Sequence, residues 1–277
     1  MGWWGKLVGG AFGFMLGGPL GALAGAALGH GLDKGMAARL PGGSGGGEGE
    51  RERVQLAFFT ATFSVLGHVA KADGRVSAEE IRLAEVLMDE MDLDPERRRA
   101  AIELFNQGKQ ADFPLDEVLA QFRKECHRRV TLLRMFMEIQ LQAAYADGGL
   151  ETVEDDLLRH IAKQLGFPNF AYQQLRRMIE AERAFAGAGA GARQRRGAGA
   201  GVGAPGPSLA DAYAVLGVGR EDSPAAIKKA YRRLLSQHHP DKLVSKGLPE
   251  EMMKMAAQKT HEIKQAYEKI RSERGFT

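Results

Sequence analysis

Residues 223–246 read SPAAIKKAYRRLLSQHHPDKLVSK, and the fold of the carboxyl-terminal region turns on how this stretch is parsed. Ser223 is a good N-cap, and Pro224 suits the first helical position, where its missing N–H would have had no partner. From there Ile227, Ala230, Tyr231, Leu234 and Leu235 recur at helical spacing as a stripe to be buried, while Lys228, Lys229, Arg232 and Arg233 fall on the other side. Pro240 fixes φ and lacks a donor, so it stops the helix and stiffens the loop, leaving His239 and Asp241 exposed beside it. Three uses of His238, His239 and Asp241 compete: a metal site, an acid/base pair, or a rigid loop shown to another protein. The three side chains are too close along one loop to close a metal shell alone, and no cysteine or His-x-x-x-His pattern accompanies them. Acid/base chemistry needs a cleft, which a small domain with one exposed loop does not supply. The partner-binding reading is the one that remains, with His238 expected to be an ordinary exposed helix-end residue.

The flanks extend the pattern. LADAYAVLGV from Leu209 predicts a short helix, and EEMMKMAAQKTHEIKQAYEKIRSERG from Glu250 predicts a long one. The latter offers Met252, Met255, Ala256, Ile263, Ala266, Tyr267 and Ile270 as the face that matches the stripe of the preceding helix. With Tyr213, Leu216, Gly217 and the His239-Pro240-Asp241 tripeptide in this setting, residues 208–277 resemble the J domain of the DnaJ family. The resemblance implies that the tripeptide and the basic helix engage the ATPase domain of a DnaK-type chaperone and promote ATP hydrolysis there. Thr260 departs from the pattern, since many J domains carry phenylalanine at that place, and it predicts a differently packed core. No glycine/phenylalanine-rich segment or four-cysteine zinc module follows, so client choice must come from elsewhere.

Between the linker PGGSGGGEGE (41–50) and about residue 183, apolar residues run at helical period with few breaks and no convincing alternation. Phe58, Phe59, Phe63, Val65, Leu66 and Val69 form one predicted apolar face, and Ile81, Ala84, Val86, Leu87 and Met91 a second. Two segments, AKADGRVSAEEIRLAEVLMDEM from Ala70 and AYADGGLETVEDDLLRHIAKQL from Ala144, each place an Ala-Asp-Gly turn between two helices, which reads as an internal duplication. Gly74 and Gly148 are expected at positive φ, and Ser77 with Glu80 forms a capping-box pattern. Asp73 and Asp147 are the weak metal candidates. Asp73, Gly74, Val76 and Glu80 mimic part of an EF-hand loop, but Val69 and Lys71, or Ala143 and Tyr145 in the second copy, stand where oxygen ligands belong, so no metal is assigned. The duplicated turn resembles the TerB-like helical domain, which implies an interaction or sensing module.

At the amino terminus no charged side chain occurs from Leu7 to Gly29, a length that spans the roughly 30 Å of bilayer hydrocarbon. Gly5, Gly9, Gly13, Gly17, Gly21, Gly25 and Gly29 recur every fourth residue, a flat stripe along which two helix backbones approach closely. A cleaved signal peptide is the rival, with ALAGAA as its small-residue site. Only Lys6 precedes the span, whereas Lys34, Arg39, Arg51 and Arg53 follow it, so the bulk of the chain is expected on the cytoplasmic side.

Across 277 residues Lys plus Arg total 38 against 35 for Asp plus Glu, a net charge of +3 with no basic tail, which gives no case for nucleic acid. The single cysteine, Cys126, rules out an intrachain disulfide and a cysteine-rich zinc site, and reads as a small core residue. The expected organisation is all-α: a transmembrane glycine-striped helix with flanks at 1–33, a Gly-rich linker at 34–51, a TerB-like helical domain at 52–183, a Gly/Ala-rich tether at 184–207 and a J domain at 208–277. This order of parts resembles the bacterial membrane-anchored DnaJ-like co-chaperones. The resemblance implies a single-pass inner-membrane protein with its short N-terminus in the periplasm, no enzyme activity and no cofactor of its own. Its partner would be a DnaK-type chaperone, and Gly9, Gly13, Gly17, Gly21 and Gly25 would pair two copies as a homodimer. The rival function is an envelope stress or metal sensor centred on residues 52–183, with the J domain secondary.

Overall fold

The computed structural model describes residues 18–27, 48–127, 129–146, 148–195, 208–245, 248 and 252–276, and no strand occurs among them. A first helix, α1, covers 18–27. It is followed by α2 (Glu48–Val69), α3 (Ala78–Glu90), α4 (Pro95–Gly108), α5 (Leu115–Glu125), α6 (Val130–Ala144), α7 (Thr152–Gln164) and α8 (Asn169–Arg195). The last four are α9 (Leu209–Leu216), α10 (Pro224–His238), α11 (Pro240–Ser245) and α12 (Met253–Arg274). The helices divide into two compact units, one of Met1–Asn169 with Leu243–Lys254, the other of Phe170–Lys242 with Met255–Thr277.

In the first unit α2 is the axis. Phe58, Phe63, Val65, Leu66 and Val69 are buried as expected, but so are Thr60, Thr62 and Ser64, so the helix has no single apolar face. Two of its carbonyls are met from inside, since Ser64 Oγ donates to that of Thr60 at 2.7 Å and Gln140 Nε2 of α6 to that of Thr62 at 3.2 Å, while the Thr60 and Thr62 hydroxyls are buried with no hydrogen-bond partner among the described residues. Small residues let α4 come against this helix at backbone distance. A Cβ on Gly108 would lie 1.7 Å from the Ser64 carbonyl oxygen, and one on Gly67 would lie 2.0 Å from that of Phe105. His68 Nδ1 closes the crossing with a 3.1 Å hydrogen bond to the Gly108 carbonyl.

The second predicted face needs correction. Ala84, Leu87, Met88 and Met91 are buried at i, i+3, i+4, i+7 spacing, whereas Ile81, at the edge of that arc in the first turn of α3, and Val86, on its opposite side, are each 45% exposed. The turn before α3 follows expectation: Gly74 has φ +90° and Ser77 with Glu80 makes the reciprocal capping box. Gly148 has φ +127° in the duplicate turn, and there Glu151 with Glu154 caps α7. Cys126 is buried, and burial pushes its thiol up to about 12 despite the opposing Arg129 charge.

In the second unit α9, α10 and α12 enclose a core of Tyr213, Leu216, Ile227, Leu234, Ile263, Ala266, Tyr267 and Ile270. Tyr231 stacks on Tyr267 with centroids 4.0 Å apart. The helix α8 also belongs to this unit, and it differs from expectation by continuing to Arg195, well into the stretch read as a tether. Ala181 joins the core, and Glu182 pairs with Lys259 of α12, both side chains 7% exposed.

Candidate functional site

The residues singled out in the second unit lie along α10 and at its end. Ser223 caps its start, accepting from the Ala226 N–H at 3.2 Å, with Pro224 in the first turn. Ile227, Ala230 and Leu234 are buried, while Lys229, Arg232 and Arg233 are exposed and Lys228 is half-buried on the flank. Four cations thus project from a helix whose other face is fixed in the core, a pattern that attracts an acidic surface and weakens with salt.

His239 terminates the helix with φ −66° and ψ 123°, the extended backbone that a following proline enforces. Pro240 then opens α11, so the predicted loop is a kink between two helices, with Asp241 in the first turn of the second. The His239 side chain is 50% exposed and that of Asp241 82%, and His239 Nδ1 lies 3.9 Å from Asp241 Oδ2. An imidazole and a carboxylate are thus held outward on either side of a rigid proline. On the solvent side Lys242 Nζ donates to Ser236 Oγ at 2.7 Å, bridging the kink.

His238 departs from the expected exposed helix end: it is 2% exposed. Its backbone carbonyl accepts from Thr260 Oγ1 of α12 at 3.0 Å, and the same hydroxyl lies 2.9 Å from the Ala256 carbonyl. Thr260 therefore places a hydroxyl, not an aromatic ring, behind the tripeptide. Neither this bond nor the Glu182–Lys259 pair has a short-range signature, since their partners are 22 and 77 residues apart.

The other candidates are not brought together. Asp73 is spent on its own turn, its Oδ1 accepting from the Arg75 N–H at 2.8 Å, and Asp147 lies outside the described residues. Among the described residues no group of three or more His, Cys, Asp or Glu side chains is arranged to hold a metal ion. Gly21 and Gly25 sit one turn apart on α1, and Gly9, Gly13 and Gly17 lie outside the described residues. Among the described residues no helix is long and apolar enough to cross a membrane.

Comparison with known proteins agrees in three places along the chain. Residues 59–177 match the family described as tellurite resistance protein TerB, and 211–274 match the DnaJ domain. Residues 1–39 match the co-chaperone DjlA transmembrane domain. The co-chaperone protein DjlA of Photobacterium profundum is 47% identical over 277 residues, 99% of each chain. Those of Photorhabdus laumondii and Escherichia coli are 47% and 45% identical over 277 residues, the whole of each chain. This chain belongs to the DjlA co-chaperone family. No solved structure matches it.

As a DjlA family member the protein is a membrane-anchored J-domain co-chaperone, and a J domain implies a DnaK-type partner. Co-chaperones of this kind are generally regulators rather than enzymes.

Proposed function

We propose that this co-chaperone recruits a cytoplasmic DnaK-type chaperone to the bacterial inner membrane and stimulates its ATPase, with His239, Pro240 and Asp241 as the trigger. Lys228, Lys229, Arg232 and Arg233 dock the partner. The hydrolysis belongs to the partner, and the chain itself contributes binding and orientation. The observation that carries the reading is the joint exposure of His239 and Asp241 across Pro240 at the foot of a basic helix.

The anchor is read as a single pass with the N-terminus in the periplasm, because Lys34, Arg39, Arg51 and Arg53 all follow the uncharged span. That orientation puts the J domain on the side where ATP is found. The glycines at positions 9, 13, 17, 21 and 25 bring two spans together as a homodimer, since small side chains let backbones meet in lipid. Nucleic acid has no part in the reading. We place the modules at 1–33, 52–183 and 208–277, joined by 34–51 and 184–207.

The test is single-turnover ATP hydrolysis by the DnaK-type chaperone of the same organism, with the full chain supplied in lipid nanodiscs. Stimulation by the native chain and by neither His239→Gln nor Asp241→Asn is expected. Equal stimulation by Asp241→Asn would remove the tripeptide from its role.

A further inference from the structure

We propose that Thr260 is a positioning residue for the tripeptide: its hydroxyl holds the His238 carbonyl and so sets the angle at which α10 delivers the chain to Pro240. The proposal rests on the reading of His239, Pro240 and Asp241 as the trigger.

The need for such a group follows from helix chemistry. The last carbonyls of any α-helix have no partner within it, and they are usually met by backbone N–H groups just beyond the end. Here the chain beyond the end is extended at His239, and Pro240 has no N–H to give. The Thr260 hydroxyl supplies a donor from a different helix, 3.0 Å from the His238 oxygen. One hydroxyl proton faces two acceptors, the other being the Ala256 carbonyl at 2.9 Å in the preceding turn of α12. That back-bond is the habitual local contact of a helical threonine, and here it keeps the hydroxyl close to the His238 carbonyl.

Both ends of the bond are held. On the α10 side the His238 ring is buried, so the last residue of the helix has little freedom to turn. On the α12 side Ala256 and Ile263 are buried a turn away on either side, and the adjacent Lys259 is fixed by its buried pair with Glu182 of α8. The Lys242–Ser236 bond also bridges the kink, but its donor is a long exposed side chain in water. A part-buried hydrogen bond between two helices packed on a common core resists displacement better than one made by an exposed lysine. Thr260 is therefore the contact that sets the trigger from behind.

Losing it lowers the fraction of molecules with the trigger in its binding-competent geometry, and apparent affinity falls by that fraction. Maximal stimulation at saturation does not change, because Thr260 does not touch the partner.

The experiment titrates the full chain in nanodiscs into single-turnover ATP hydrolysis by the DnaK-type chaperone, comparing the native chain with Thr260→Val, Thr260→Ala, Thr260→Ser and Asp241→Asn. Amide hydrogen exchange at residues 238–242 is followed in each. Valine keeps the shape and removes the hydroxyl, alanine removes it without crowding, and serine keeps it. Thr260→Val and Thr260→Ala are expected to raise the half-maximal concentration roughly fivefold, about the worth of one hydrogen bond, with the plateau unchanged and exchange at His239 and Asp241 faster. Thr260→Ser is expected to behave as native. Native titrations for both hydroxyl-free variants would overturn the proposal, as would a serine variant as impaired as the valine one. Asp241→Asn separates the two ideas. If it stimulates normally, the trigger reading itself fails. If it is inactive while Thr260→Val and Thr260→Ala are native, only the role of Thr260 fails.

Discussion

Helices α2 and α10 both look like helices with one apolar stripe when read as sequence, yet the protein uses them in opposite ways. α10 keeps its stripe: Ile227 and Leu234 are buried while Arg232 and Arg233 face solvent. α2 keeps none, since Thr60, Thr62 and Ser64 are as buried as Phe58 and Phe63. A helix surrounded on all sides is specified by fit, and a helix with one free face is specified by what that face meets. Substitutions should divide accordingly, those on α2 acting on stability and those on the outer face of α10 on partner engagement.

The largest stability effect is expected where a charge is enclosed. Glu182 and Lys259 are each 7% exposed, and removing one partner leaves the other buried and uncompensated. Lys259→Met should cost about 3–5 kcal/mol by denaturant unfolding of the full chain. Replacing both, as Glu182→Leu with Lys259→Met, should recover most of that loss, because an apolar pair of similar volume does without the charges. A double variant as unstable as the single one would show that the pair is worth more than its enclosure.

Next comes the α2–α4 crossing. Gly108→Ala would set a methyl 1.7 Å from the Ser64 oxygen, against backbone that has no flexible end to yield. About 1–3 kcal/mol or more of destabilisation is expected from thermal unfolding, with ATPase stimulation retained below the transition. Loss of stimulation without loss of stability would break the division between the two helices.

These two sites also mark how far the sequence could be read. Helix capping and turns act over three or four residues, so Ser77 with Glu80, Ser223 with Pro224 and the positive φ of Gly74 were all legible. The family resemblance of the tripeptide region was legible too, because its signal lies in one short stretch. What was not legible depends on partners distant in the chain. The phase of α3, which leaves Ile81 and Val86 outside, is set by what packs on it. The burial of His238, the Thr260 bond and the Glu182–Lys259 pair join residues that no local pattern relates. Gly67 and Gly108 read as ordinary helix glycines until the two helices are seen to cross on them.

On α10 the expected effect moves from stability to association. Reversing Arg232 and Arg233 to glutamate should change unfolding free energy by no more than about 0.5 kcal/mol, since both are exposed. Stimulation of the DnaK-type chaperone should fall on the order of tenfold at low salt, and by less at high salt, where screening already weakens the native attraction. A loss independent of salt would point to a specific contact in place of a field.

The smallest effect at neutral pH concerns Cys126, the interior of the first unit seen through one titrating group. Burial raises its thiol from 9.0 to about 12, so the folded protein keeps this proton while the unfolded chain releases it. Below about pH 9 both states hold the proton and the group adds no pH dependence. Between about 9 and 12 the native state binds more protons than the unfolded one, so stability falls as pH rises, by at most about 1.4 kcal/mol per pH unit from this group. Cys126→Ala should flatten that part of the stability curve and leave neutral pH changed only by the small packing loss. The native thiol should also resist iodoacetamide at about pH 8 and react only as fast as the surrounding helices open, since neither thiolate nor access is available while they are closed. Rapid labelling of the folded chain would show that the enclosed packing drawn around α2 and α5 opens far more readily than its fit implies.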